Sequence, residues 1–279
     1  MNDSTSGGKA AGATFPPLRK IRLAHGDLSY REMGSGRPLI LLHGMNGDSR
    51  SWAYQFGPLS DRFRLISWDA PGYGESDPCE PTIETFVKLL FELLDRLEAR
   101  DAVVVGHSMG GIVGARAAAE SSKARDGRLA RLVLSCTHWG YADPPGSPLG
   151  ESYARRIREM SRLPREEYGK IRSRAMVPPG SKAEVLDFLS AISMDARPEG
   201  MECAGRMIQE ADNRPHYKSI AMPVLVLYAE NDPVAKRETT MAMIGMLSKP
   251  EIAMIKGVGH APYAEAPEDF NEVVGSFAS

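Results

Sequence analysis

Nine consecutive residues, Val103-Val104-Val105-Gly106-His107-Ser108-Met109-Gly110-Gly111, constrain this chain more than any other stretch. Three β-branched residues run into Gly-His-Ser-Met-Gly, and a helical run from Ile112 to Glu120 follows at once. The pattern is a buried strand, a tight turn and a helix, with a serine at the apex. A serine in so sharp a turn projects its hydroxyl, and the residues two places to either side approach too closely for a side chain. Gly106 and Gly110 occupy those places. The helix begins beneath the serine, so the Met109 N–H and the positive end of the helix dipole face any negative charge that develops there.

The rest of the chain is read outward from that strand. Ile21–Ala24 and Leu28–Glu32 alternate apolar with polar around Gly26-Asp27, which predicts a hairpin with one solvated face. Pro38–Gly44 is a continuous apolar run ending in His43-Gly44, as in a strand covered on both faces. Further strands are expected at Phe63–Asp69, Leu129–Cys136, Met222–Tyr228 and Glu251–Ile255. Helices are expected at Ser51–Leu59, from a Thr82 N-cap to about Ala99, and from Pro267 to Phe277. Strands alternating with helices after a hairpin predict one α/β domain with a mostly parallel sheet flanked by helices.

The rhythm breaks once. From Tyr141 to His216 there is no convincing strand, only helical patterns separated by prolines. A helical insertion between two core strands at the ligand end of a sheet reads as a cap or lid. The boundaries are thus a Ser/Gly/Ala-rich disordered tail over 1–17, a core over 18–140 and 217–279, and a cap over 141–216.

An apical serine is a poor nucleophile until a base takes its proton, and that base needs an acid to hold its tautomer. In an architecture of this kind the acid and then the histidine follow the serine in the chain. Asp232 lies just past one strand and His260, flanked by Gly259, just past the last, at the same sheet edge as Ser108. Glu230 is the rival acid; Asp232 is preferred because it lies further into the loop, before Pro233. Among the other histidines, His107 should point away from the nucleophile and His43 should brace the loop after its strand. His25, His138 and His216 read as surface or packing residues. An oxyanion hole needs two convergent N–H donors. Met109 supplies one, and the loop after His43-Gly44 supplies the other, with Met45 first choice and Asn46 second.

Composition narrows the partners. The net charge is −2 with no sustained basic block, so nucleic acid has no electrostatic footprint. No apolar run is long enough to span a membrane, and the N-terminus has no secretory apolar region. Three widely spaced cysteines, with no Cys-x-x-Cys pair, argue against a disulfide framework or a zinc site and for a reducing, cytoplasmic setting. No metal or other cofactor is expected, and the partner is a small-molecule substrate.

Taken together, His43-Gly44, Trp52, Asp69-Ala70-Pro71-Gly72-Tyr73-Gly74-Glu75-Ser76, the Ser108 turn, Asp232 and Gly259-His260 resemble the α/β-hydrolase superfamily. The resemblance implies Ser108 as nucleophile, His260 as base, Asp232 as its orienting acid, and the Met45 and Met109 N–H groups as oxyanion hole. It implies a serine hydrolase acting on a carboxylic ester or lactone through an acyl-enzyme. The serine argues against the resembling haloalkane dehalogenases and epoxide hydrolases, which carry aspartate at the turn. Carbon–carbon bond hydrolases, amide hydrolases and non-catalytic binding proteins share the fold and stand as alternatives. A shorter resemblance, Arg197–Ala204 continuing to Glu210–Arg214, is to 3-oxoadipate enol-lactonases and related esterases, and it suggests a carboxylate-bearing substrate.

The cap also carries a charge excess. Between Glu151 and Arg174 there are eight Lys/Arg against four Glu. A solvated helix face accounts for most such runs. The sharper reading is that one arginine turns inward to grip a substrate carboxylate. Arg172 and Arg174, beside the apolar Ala175-Met176-Val177, are the candidates.

Overall fold

Strand residues that are apolar at every position demand cover on both faces, and the sheet answers that demand. A computed structural model describes residues 13–279. Its eight strands are β1 (Leu18–Leu23), β2 (Gly26–Met33), β3 (Arg37–Leu42), β4 (Phe63–Trp68), β5 (Ala102–His107), β6 (Leu129–Ser135), β7 (Val224–Ala229) and β8 (Glu251–Ile255). They form one sheet in the order β1-β2-β4-β3-β5-β6-β7-β8. Only the β1–β2 and β2–β4 pairs are antiparallel. From β4 to β8 every pairing is parallel, so the ends of β5, β7 and β8 emerge along one edge.

The period-two alternation of the strands divides the core. Ile40, Leu42, Val104, Leu132 and Val226 face one side, where α2 (Ile83–Arg96) and α3 (Met109–Ala124) pack. Leu39, Leu41, Val103, Val105 and Leu225 face the other, against α1 (Ala53–Leu59) and the last helix, α10 (Pro267–Ala278). Thr82 caps α2 by accepting the Thr85 N–H at 3.2 Å, and Phe86, Leu89, Leu90, Leu93 and Leu94 bury its apolar stripe. Between β6 and β7 the chain makes α4 (Glu151–Arg162), α5 (Arg165–Arg174), α6 (Ala183–Ser193) and α7 (Pro198–Glu210). After β7 come α8 (Arg237–Met246) and, past β8, the short α9 (Pro262–Glu265). Among the described residues no helix is long and apolar enough to cross a membrane.

Two expectations are corrected. The hairpin turns at Ala24-His25, not at Gly26-Asp27: Gly26 already pairs with Leu23 inside β2. The glycine there serves a close approach, since the Asp77 carboxylate reaches in to accept the Asp27 N–H at 2.8 Å. The end of the tail expected over 1–17 is instead held against the core. Residues 1–12 lie outside the described residues, but the Thr14 N–H donates to the Ala53 carbonyl at 2.8 Å and the Pro16 carbonyl accepts from Arg31.

The long segment Arg197–Arg214, singled out for its resemblance, fastens the cap to the core. The Arg197 guanidinium donates to the Gly72 and Ser76 carbonyls at 2.9 and 2.7 Å, at the start of α7. At the other end, buried Asn213 donates to the Ile112 carbonyl at 2.8 Å and accepts from Arg116 at 3.1 Å.

Candidate active site

Ser108 sits between β5 and α3 with φ 51° and ψ −114°, a backbone conformation that non-glycine residues avoid. Strain of this kind costs about 1–3 kcal/mol and persists only where the surroundings over-determine it. Here the Ser108 N–H donates to the Ser135 carbonyl at 2.9 Å, while its own carbonyl accepts from Gly111 N–H at 2.9 Å and Thr137 Oγ1 at 2.6 Å. The flanking glycines are obligatory on steric grounds. A Cβ on Gly106 would lie 2.4 Å from the Gly110 carbonyl oxygen, and one on Gly110 2.1 Å from that of Leu42.

His260 reaches this serine from the loop after β8. Its Nε2 lies 3.1 Å from Ser108 Oγ, and its Nδ1 lies 2.9 and 3.0 Å from the two carboxylate oxygens of Asp232. With Nδ1–H donating to the carboxylate, Nε2 is left as acceptor for the serine hydroxyl. Both side chains are almost wholly buried, at 6% and 4% exposure. Burial alone would raise the Asp232 carboxyl, but the hydrogen bond and charge of His260, with the Val234 and Ala235 N–H groups, hold it below the usual carboxylate range. Those N–H groups donate to Asp232 Oδ1 at 2.7 and 2.9 Å. Glu230, by contrast, is exposed and accepts the Gly257 N–H at 2.9 Å. The structure therefore brings Asp232, not Glu230, to the histidine.

Two further histidines support the arrangement from behind. His107 borders the cavity beside Ser108, and its Nε2 donates to the His260 carbonyl at 2.6 Å. Desolvation, with the neighbouring His260, drives the His107 pKa down to about 3, so it stays neutral. His43 accepts the Ala70 N–H at Nε2 (2.9 Å) and donates from Nδ1 to the Gly44 carbonyl (2.8 Å). It thus braces the turn Gly44–Gly47, closed by Gly47 N–H on the Gly44 carbonyl at 2.9 Å. Among the described residues no acceptor takes the Met45 or Met109 N–H. Both residues line the cavity above Ser108. Cys136, beside Asp232 and His260, completes a group whose donor atoms lie within 4.8 Å of one another. Its thiol is pushed well up by burial and the Asp232 charge, so it stays protonated, and both histidine nitrogens are already engaged.

The cavity measures about 130 Å³ and is walled by the cap: Ser152, Tyr153 and Arg156 from α4, Arg172 from α5, then Ala175 and Met176. A larger hollow of about 260 Å³ elsewhere in the cap, around Arg165, Asp195 and Arg197, is lined by no serine, cysteine or histidine, and Arg165 is paired with Asp195. We locate the chemistry in the smaller cavity, where Ser108 and His260 meet. Of the two arginine candidates, Arg172 is buried in the wall and its Nη2 lies 3.1 Å from Glu159 Oε2. Arg174 is exposed and takes no place in the wall, because two residues of helix turn a side chain by about 200°.

Sequence reasoning passed over three cavity residues, Arg156, Tyr153 and His138. His138, read as a surface or packing residue, lines the cavity; burial drives its pKa down to about 4. Arg156 was one cation among eight, with nothing local to distinguish it. The histidine loop also touches the cap: the His260 N–H donates to the Met176 carbonyl at 2.7 Å, and Gly259 packs directly on Met176–Pro178.

Known proteins share this arrangement of chain. The model of the alpha/beta hydrolase family matches residues 39–273. Among relatives, the AB hydrolase superfamily protein YisY of Bacillus subtilis is 25% identical over 91% of this chain and 96% of its own. A pimeloyl-[acyl-carrier protein] methyl ester esterase of Nitrosomonas europaea is 27% identical over 85% and 94%. Among solved structures, a thermophilic esterase of Thermogutta terrifontis superposes with a TM-score of 0.78 at 26% identity, covering 94% of this chain and 97% of that one. The enol-lactonase of Burkholderia xenovorans LB400 has the same fold, with a TM-score of 0.78 at 23% identity over 94% and 99%. With the match running from β3 through β8 and the edge loops that hold Ser108, Asp232 and His260, the chain belongs to the alpha/beta hydrolase family.

Proposed function

We propose that the protein hydrolyses the ester or lactone bond of a small molecule through an acyl-enzyme on Ser108. The observation that carries this reading is the 3.1 Å contact of Ser108 Oγ with a histidine whose other nitrogen is held by a buried carboxylate. In the first step Ser108 Oγ adds to the carbonyl carbon as His260 Nε2 takes its proton. The negative charge moves to the carbonyl oxygen, which the Met45 and Met109 N–H groups stabilise. Collapse expels the alkoxide, which takes the proton from His260; in a lactone it stays tethered to the acyl group. Water, deprotonated by His260, then adds to the acyl carbon, and collapse frees the acid and returns the proton to Ser108. Protons pass between Ser108, His260, water and the leaving group, so the reading requires no metal or other cofactor. The two esterases among the similar proteins support an ester as the bond attacked.

The test is covalent. A fluorophosphonate probe should label the wild type at Ser108, and purified protein should turn over short p-nitrophenyl esters or lactones. Ser108→Ala should lose labelling and at least about 10⁴-fold of turnover while remaining folded. Labelling absent from the wild type would favour a binding protein on this fold. Turnover within tenfold of wild type in Ser108→Ala would overturn the mechanism.

A further inference from the structure

Resting on the reading just given, we propose that Arg156 is a specificity-determining anchor that selects substrates whose acyl group ends in a carboxylate, a few carbons from the scissile carbonyl. Four observations converge. First, the cavity lining contains two arginines and no aspartate or glutamate. Second, those arginines are not equivalent. Arg172 has Glu159 at 3.1 Å, whereas among the described residues Arg156 has no carboxylate within ion-pair distance. Among the described residues its guanidinium makes one hydrogen bond, to Met45 Sδ at 3.1 Å, a weak acceptor for a charged donor. Third, unmet polar atoms gather around it. Among the described residues, Arg156 Nε, Arg172 Nε, and the Tyr73 and Tyr168 hydroxyls are all buried without a partner. The Arg156 charge acts on Tyr73, Tyr168 and Arg172 alike, so these groups form one neighbourhood. Fourth, a planar guanidinium with donors to spare is the shape that binds a carboxylate bidentately.

The location sets the substrate. Arg156 touches the side-chain sulfur of Met45, whose N–H is one of the two proposed oxyanion donors, so the surplus cation lies about one methionine side chain away from the reacting carbonyl. The cavity is about 130 Å³, roughly four water volumes at ~30 Å³ each, so it takes a short acyl chain. Arg156 is half-buried with its Nε shut off from water, and a substrate carboxylate would supply the anion that its surroundings lack. Arg172, by contrast, already has Glu159 as its counter-charge.

The experiment compares mono-(p-nitrophenyl) glutarate with p-nitrophenyl isoheptanoate, whose terminal isopropyl group has the carboxylate's shape without its charge. The wild type should favour the glutarate ester in kcat/KM. Arg156→Gln should lower the ratio of acidic to neutral kcat/KM by roughly 10–100-fold, mostly through KM, and Arg156→Lys should keep the larger part of it. The wild-type preference should shrink with added salt. A merely structural role for Arg156 would slow both esters alike and leave the ratio unmoved, which would overturn the proposal, as would a wild type without preference. A second arm does not depend on turnover. Calorimetry of glutarate with Ser108→Ala should show binding that weakens at least about tenfold when Arg156→Gln is added. Equal binding with and without Arg156, or none in Ser108→Ala, would also overturn it. Failure of fluorophosphonate labelling would instead strike the acyl-enzyme reading, and the glutarate arm would still decide on Arg156.

Discussion

The histidine behind the triad should make the protein acid-sensitive in a way that one substitution can isolate. His107 is fully buried and held neutral, its pKa down to about 3, by desolvation and the adjacent His260. In the unfolded chain its imidazole titrates near ~6.5. A histidine depressed in the folded state contributes stability that is complete above the unfolded value and is lost as pH falls toward the folded one. At pH 5 the unfolded imidazole is almost fully protonated while the folded one is not. The loss between pH 8 and pH 5 is then about 2 kcal/mol, set by the unfolded pKa as long as the folded value lies well below 5. His107→Gln retains an N–H donor in reach of the His260 carbonyl and removes the titration. Urea unfolding should therefore show that the variant loses about 2 kcal/mol less than the wild type between pH 8 and pH 5. Raised carboxyls such as Asp69 and Glu265 titrate in both proteins and cancel in this comparison. Asp232, depressed, releases its contribution only at lower pH, below the usual aspartate value near ~4. Identical pH dependence in the two proteins would mean that His107 charges in the folded state, and the argument from its burial would be wrong.

Other substitutions test the site and its frame. Asp232→Asn should cut kcat by roughly 10⁴-fold, since an amide facing Nδ1 can hold His260 in the wrong tautomer, while Glu230→Gln stays within about threefold; the reverse order in steady-state rates would identify the wrong acid. Gly110→Ala drives a Cβ to 2.1 Å from the Leu42 carbonyl and should leave no folded protein by circular dichroism. Arg172→Ala strands the partly exposed Glu159 and should destabilise by about 1–3 kcal/mol, whereas exposed Arg174→Ala stays within about 0.5 kcal/mol; equal values from denaturant titration would contradict the helix facing described above.

What could be read in the chain without coordinates was whatever local chemistry ties to a strand end. Ser108, Asp232 and His260 sit one, three and five residues past the ends of β5, β7 and β8, so a parallel sheet alone gathers them at one edge. The β-hairpin was legible, but its turn was not. Gly26 carries the turn residue's usual signal and spends it on contact with Asp77, a partner fifty residues away. The cavity wall was the least legible part. Tyr153, Arg156 and Arg172 reach the site only because α4 and α5 fold over the edge, and no local pattern distinguishes Arg156 from Arg155. The acid choice lay between these extremes, since two carboxylates in one loop differ only in which way the turn aims them.

The hydrogen bond from His260 N–H to the Met176 carbonyl makes roof and base a single interlock. A cap displaced at this seam would take the acceptor from the backbone that holds the imidazole, so any opening there would also slacken His260. The same seam restricts how such a protein can drift. The cap can be recut for a new substrate over most of its surface, but Gly259 leaves no room for a Cβ between itself and Met176–Pro178, where one would lie 2.7 Å from Pro178 Cδ. A borrowed cap must therefore bring its own equivalent of that three-residue strip, or it arrives with a histidine loop that no longer locks.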